Sequence, residues 1–217
     1  MGKINANEGN MKGAYSKAYL MACEQLYKMA PEEITRCTGA DYDRQGDSLS
    51  FEYMGGVYKV DCGNGKVFSP EGDSVEDTVL KTLFLHYLTN GKSLLIRGRQ
   101  VAFSEIPGGG AMYDSSYKKR VILPLVKRFG GDPDALLEAS RRFNGEKACY
   151  GDLSVTINVF PMVPVTYVVW KGDDEFSPSA TILFDESISL SLPVEDIVIM
   201  TSFATYTLIK EAGSVKG

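Results

Sequence analysis

Histidine is almost missing from this sequence: one imidazole, His86, stands in 217 residues. Every motif that needs two histidines, H-E-x-x-H among them, is therefore excluded, and a His-dependent triad would have to use His86. Cysteine is sparse and scattered. Cys23, Cys37, Cys62 and Cys149 form no C-x-x-C pair, and structural zinc and iron–sulfur sites are built on such tight pairs. A chain of this length has little need of a disulfide framework, so the four thiols read as reduced and mostly buried. Apolar runs stop short of the ~18 residues that a membrane span needs. The polar opening Met1–Met11 has no signal-peptide core. The expectation is a soluble, cytoplasmic protein with no membrane partner. Neither G-x-x-x-x-G-K-[ST], G-x-G-x-x-G nor G-x-S-x-G occurs, which removes the commonest nucleotide and hydrolase signatures.

What is present is core-forming material. Hydrophobic residues make up 44% of the chain, and a domain of this size buries about 70% of its unfolded surface. Residues 12–30 repeat apolar side chains at helical spacing through Tyr15, Tyr19, Ala22, Cys23, Leu26 and Met29. A short helix over Glu32–Cys37 follows Pro31. Residues 48–69 alternate instead, with Gly55-Gly56 and Gly63-Asn64-Gly65 as turns, and predict an antiparallel meander. Ser74 and Asp77 resemble a capping box for a helix over 75–89. Gln100–Ser104 reads as a strand, 115–129 as a basic helix bent at Pro124, and a further helix is capped by Asp132. From Asp152 the period is two again. Strands are expected at 153–159, 165–170 and 181–184, with a short one at 188–192, before a last helix opened by Pro193. Closely spaced strands pair antiparallel. The fold class is α+β: two antiparallel meanders packed on about five helices, a single domain over 12–213 behind a disordered 1–11.

Net charge is −5, from 23 basic and 28 acidic residues, which argues against a nucleic-acid partner. The charges are segregated. Residues 92–128 carry eight cations (Lys92, Arg97, Arg99, Lys118, Lys119, Arg120, Lys127, Arg128) against Glu105 and Asp114. Residues 171–196 carry one lysine against seven carboxylates. Two blocks of opposite sign either face each other in the fold or leave a basic patch for an anionic ligand. The second reading centres on the segment from Arg97 and Arg99 through Ser104 and Glu105 to the bend Gly108-Gly109-Gly110. Its backbone N–H groups can face an anion. The following helix, expected from Ser115, would add its N-terminal dipole, and Tyr113, Lys118 and the strand-end Asp185 complete the candidate ligand site. His86, at the edge of its helix's apolar stripe, is the candidate metal ligand. The acidic turn Asp173-Asp174-Glu175 lacks the alternation of a calcium loop and reads as a solvated hairpin.

Two stretches carry a resemblance. One is Arg99–Gly109 with Tyr113 and Pro124–Gly130. The other is Pro164–Ala180 through Leu183-Phe184-Asp185. With the helix bearing Leu85-His86-Tyr87-Leu88, they resemble the domain of unknown function 3786 family, over most of the chain. That family is found mainly in anaerobic bacteria and archaea, and some relatives carry an extra four-cysteine module that is not seen in this sequence. The resemblance implies no agreed activity. It favours a role for a metal, corrinoid or haem by analogy.

Three functions follow as expectations. The first is a non-catalytic binding or accessory protein for a small anionic ligand, such as a tetrapyrrole or corrinoid, held by Arg97, Arg99, Gly108–Gly110, Tyr113 and Lys118, with His86 as axial ligand to any metal centre. The second is an enzyme acting on a phosphorylated or carboxylated metabolite, with Arg97 or Arg99 as anchor and Glu105 or Asp185 as general base. The third is a protein-interaction module. Cofactor and oligomeric state are left open.

Overall fold

A computed structural model describes the backbone of residues 6–91 and 96–214. Residues 1–5, and Lys92 of the basic block, lie outside them. The chain divides into two compact units, one of residues 1–52 and 56–94, the other of residues 53–55 and 95–217.

The first unit combines helices α1 (Ala6–Leu26), α2 (Pro31–Thr38) and α3 (Thr78–Asn90) with strands β1 (Asp41–Asp43), β2 (Ser48–Tyr53), β3 (Gly56–Asp61) and β4 (Val67–Phe68). The strands form one antiparallel sheet in the order β1-β2-β3-β4. Alternation sorts its faces: Leu49, Phe51, Val60 and Val67 are buried, as period two requires. Phe84 of α3 meets Phe51 edge-on at 5.3 Å and Tyr58 at 4.8 Å, and such aromatic pairs add to plain area burial. The Tyr87 hydroxyl donates to the Thr38 carbonyl at 2.5 Å and fastens α3 to the end of α2.

Two expectations shift here. Helix α1 begins at Ala6, six residues ahead of the expected start at 12; once the stripe has nucleated the helix, each further residue adds a bond cheaply. Helix α3 starts at Thr78, capped by Asp77 alone, whose carboxylate accepts from Val79 and Leu80 N–H at 2.8 and 3.1 Å. Ser74 instead bridges to Phe68.

The second unit is built on an antiparallel sheet in the order β5-β9-β8-β7-β6: β5 (Gln100–Ala102), β6 (Glu146–Ala148), β7 (Leu153–Phe160), β8 (Val163–Trp170) and β9 (Ser179–Asp185). Strands β6 to β9 are a simple meander, and β5 joins its far edge beside β9. Helices α4 (Gly110–Tyr117), α5 (Leu123–Phe129), α6 (Asp134–Arg141) and α7 (Val194–Ser214) accompany it. On α7, Ile197, Met200, Ala204 and Leu208 are fully buried, each large apolar side chain contributing about 1.5–3 kcal/mol.

Helices α4 and α5 run on without a break through one wide π turn, Lys118–Ile122. The irregularity beside Pro124 is this turn. Pro124 cannot donate to the carbonyl four residues back and its ring crowds it, and a π turn relieves the ladder just ahead of such a residue. The strand expected at 188–192 is a correction. Glu186–Leu190 is a 3₁₀ helix, because the Asp185 carboxylate accepts the Ser187 N–H at 3.0 Å and turns the chain.

Candidate functional site

Asp185 ends β9, 2% exposed. Its carboxylate accepts four hydrogen bonds: from the backbone N–H of Arg97 (3.0 Å), Gly98 (2.6 Å) and Ser187 (3.0 Å), and from the Ser187 hydroxyl (2.5 Å). Burial raises its pKa, but the Ser187 hydroxyl and the three N–H groups outweigh burial and hold it below the ordinary carboxylate range. A carboxylate so saturated anchors the loop into β5. It makes a poor general base, which needs a raised pKa and a free lone pair.

The cations beside it are engaged too. Arg97 and Arg99 both reach Glu186, at 3.5 and 3.1 Å. Glu186 thus takes both guanidinium groups, next in sequence to the Asp185 carboxylate that accepts the Arg97 backbone N–H. Lys118 pairs with Asp114 at 2.8 Å, and the Tyr113 hydroxyl donates to Glu195 at 3.4 Å. Glu105, the other candidate base, accepts the Ala102 N–H at 2.7 Å and closes the turn Phe103–Glu105. Ser104 is exposed on that turn.

The triple-glycine bend is closed. Gly109 has φ 136°, in the region that favours glycine. Gly110 is buried, and a Cβ there would lie 2.1 Å from the Phe103 carbonyl oxygen. The Gly110 N–H donates to the Ile106 carbonyl. These glycines let α4 start directly against the preceding turn, five residues earlier than the expected Ser115. The open basic hollow anticipated round Arg97, Arg99, Gly108–Gly110, Tyr113 and Lys118 is therefore a set of internal pairings, made mainly with the acidic block that follows β9.

The other half of the basic block does form a concavity. Lys119, Leu123 and Lys127 stand at i, i+4 and i+8 on one side of the α4–α5 rod, with Pro124 and Arg128 beside them. Tyr206 and Ile209 of α7 face them across a groove of about 530 Å³. Its floor is apolar: Leu123 and Tyr206 are 59% and 52% exposed. Arg128 is fixed, donating to the Ala212 carbonyl at 2.8 Å and lying over the Phe129 ring. Lys119 and Lys127 have no carboxylate within ion-pair distance among the described residues. Sequence reasoning counted these three cations but could not place them. The signal was the presence of Leu123 and Tyr206 off the buried stripes of their helices.

Two further candidates are simpler. The acidic turn lies with Gly130 and Gly131 round a concavity of about 390 Å³. There the Asp173 carboxylate accepts the Phe176 and Glu175 N–H groups, which lowers its pKa, the work of a turn-forming aspartate. His86 is half-buried on α3, in the first unit, and already has an interaction partner. Among the described residues no group of three His, Cys, Asp or Glu is arranged to hold a metal ion. The cysteines are free. Burial, with Asp47 and Asp61 nearby, lifts the Cys62 thiol to about 11, so it is not a thiolate at neutral pH.

Fold and site together define an α+β protein with two antiparallel sheets, whose basic segment is neutralised at one end and rings an apolar groove at the other. The chain belongs to the family described as Domain of unknown function (DUF3786), whose model matches residues 30–207. No curated protein and no solved structure matches it. Among the described residues, no helix is long and apolar enough to cross a membrane.

Proposed function

We propose that this protein is a non-catalytic binding or accessory protein for a small amphipathic organic anion, held in the groove between α5 and α7. One observation carries the reading: Lys119 and Lys127, free of carboxylate partners among the described residues, border an apolar floor of Leu123, Pro124, Tyr206 and Ile209, with Arg128 fixed beside them. Apolar walls with a few convergent charges are what organic ligands with one charged end require. The lysines supply point charges for a carboxylate or sulfonate, and the Tyr206 ring supplies a flat surface for the ligand's body. A tetrapyrrole or corrinoid with carboxylate side chains, in an anaerobic metabolism, is one member of this class. The groove itself has no histidine or cysteine in its lining, so the reading concerns the organic anion and not a metal centre. Support for an enzyme is weaker, since both carboxylates considered as general base are spent on backbone N–H groups.

Fluorescence titration with anilinonaphthalene sulfonate, backed by thermal shift with aromatic carboxylates, tests the proposal on the native protein. Saturable binding is expected. The double variant Lys119→Glu/Lys127→Glu should weaken it at least ~10-fold, as like charges face the ligand, while Arg99→Ala should leave it unchanged. Equal binding by the charge-reversed protein would sink the idea.

A further inference from the structure

Alternation divides the first sheet into two faces. Leu49, Phe51, Val60 and Val67 are buried in the core of the first unit, so Ser48 and Ser50 of β2 and Val57, Lys59 and Asp61 of β3 lie on the opposite face. Phe68 of β4 is paired with Lys59 and shares that face. There the sheet, the turn at Gly46 and the turn Ser69–Gly72 border a groove of about 590 Å³, within the ~300–1,000 Å³ of small-molecule sites. Every residue lining it belongs to the first unit.

Three observations mark the groove as made for a ligand. Ser48 lines it, is 2% exposed, and has no hydrogen-bond partner for its hydroxyl among the described residues. A buried hydroxyl left in that state is destabilising unless something meets it. Lys59 has no carboxylate within ion-pair distance among the described residues. Its ammonium and the Asp43 carboxylate both border Gly46: a Cβ there would stand 3.5 Å from the first and 2.7 Å from the second. Val57 is 59% exposed and Phe68 half-buried. They make an apolar strip on a face that antiparallel sheets ordinarily leave polar.

The neighbouring polar groups are occupied. The Asp61 carboxylate accepts the Gly63 and Asn64 N–H groups at 2.8 and 3.1 Å and the Asn64 side-chain amide at 3.0 Å. The Ser69 hydroxyl donates to Glu71 at 2.8 Å.

The structure assigns this groove to a neutral polyhydroxylated ligand, a sugar. Serine hydroxyls donate and accept, and the Lys59 ammonium donates; together they complement the hydroxyl groups of a sugar ring. The C–H face of that ring matches the strip of Val57 and Phe68. Charge points to a neutral ligand. Asp61 is held by its own turn, and Asp43, paired with Ser48 on this face, offsets Lys59. A net anion would meet the carboxylates and a net cation the ammonium.

Saturation-transfer difference NMR on the full chain tests the assignment. The probes are glucose, galactose, mannose and N-acetylglucosamine, with glucuronate and glucosamine as charged counterparts. At least one neutral sugar should take up saturation on its C–H protons. Ser48→Ala should weaken its binding about 3- to 10-fold, the loss of one hydrogen bond. Val57→Ser, at an exposed position outside the core, should weaken it too by removing half of the strip. Lys119→Glu/Lys127→Glu should leave it unchanged, so this site and the anion groove stand or fall separately. No transfer to any neutral sugar, tighter binding of glucuronate or glucosamine than of glucose, or full binding by both Ser48→Ala and Val57→Ser would overturn the assignment.

Discussion

Asp185 shows what one side chain does once its donors are known. With four hydrogen bonds to a buried carboxylate, Asp185→Asn should cost roughly 2–3 kcal/mol at neutral pH, because bonds to charged groups are the strong ones. Its pKa is depressed in the folded state, so over the interval between the folded and unfolded values the unfolded chain binds the extra proton, and stability rises with pH there. The contribution is complete above the ordinary aspartate value of about 3.9 and is lost as pH falls through the lower folded value. Urea melts at pH 6 and pH 3 should show the gap between wild type and variant narrowing on acidification. The sequence marked Asp185 as a strand-end aspartate. It could not show that two of its donors are the backbone N–H groups of residues 97 and 98, whose separation along the chain, 88 and 87 positions, no local pattern encodes.

At the scale of elements, most of the secondary structure was legible because burial and periodicity coincide. The alternating run from Leu153 is β7, the stripe Ile197–Met200–Ala204–Leu208 is the buried face of α7, and residues 48–68 hold the expected strands. The failures fall where side chains bond to backbone. The 3₁₀ turns at Phe103–Glu105 and Glu186–Leu190 replace extended chain because Glu105 and Asp185 accept main-chain N–H groups nearby. Strands β1 and β6, three residues each, are too short to show a period. The same local chemistry gives a direct check at α3. Asp77→Ala removes the acceptor for two N–H groups and should cost about 1 kcal/mol, read as a fall in Tm of roughly 2–4 °C. An unchanged Tm would mean that the helix start is held by packing alone.

Over the whole molecule, charge is the property with consequences. The protein is acidic, with net charge −5, and Arg97, Arg99 and Lys118 of the basic segment are engaged in ion pairs with Glu186 and Asp114. An acidic net balance opposes attraction to a run of phosphates, on which non-specific nucleic-acid affinity depends. The full chain should therefore pass unretained through a single-stranded DNA column at about 0.1 M salt. Retention would mean that the groove cations act with others as a continuous basic track.

The amino-acid order by itself settled the α+β class, the antiparallel pairing and the resemblance that became family membership, because these depend on periods of two and 3.6 and on neighbouring residues. It also established that acidic and basic blocks are separate. Only the tertiary structure decided which cations meet carboxylates and which are left along an apolar groove, and that a bend of three glycines packs shut against Phe103. Ion pairing acts over a few ångströms in space, and distance along the chain does not measure it.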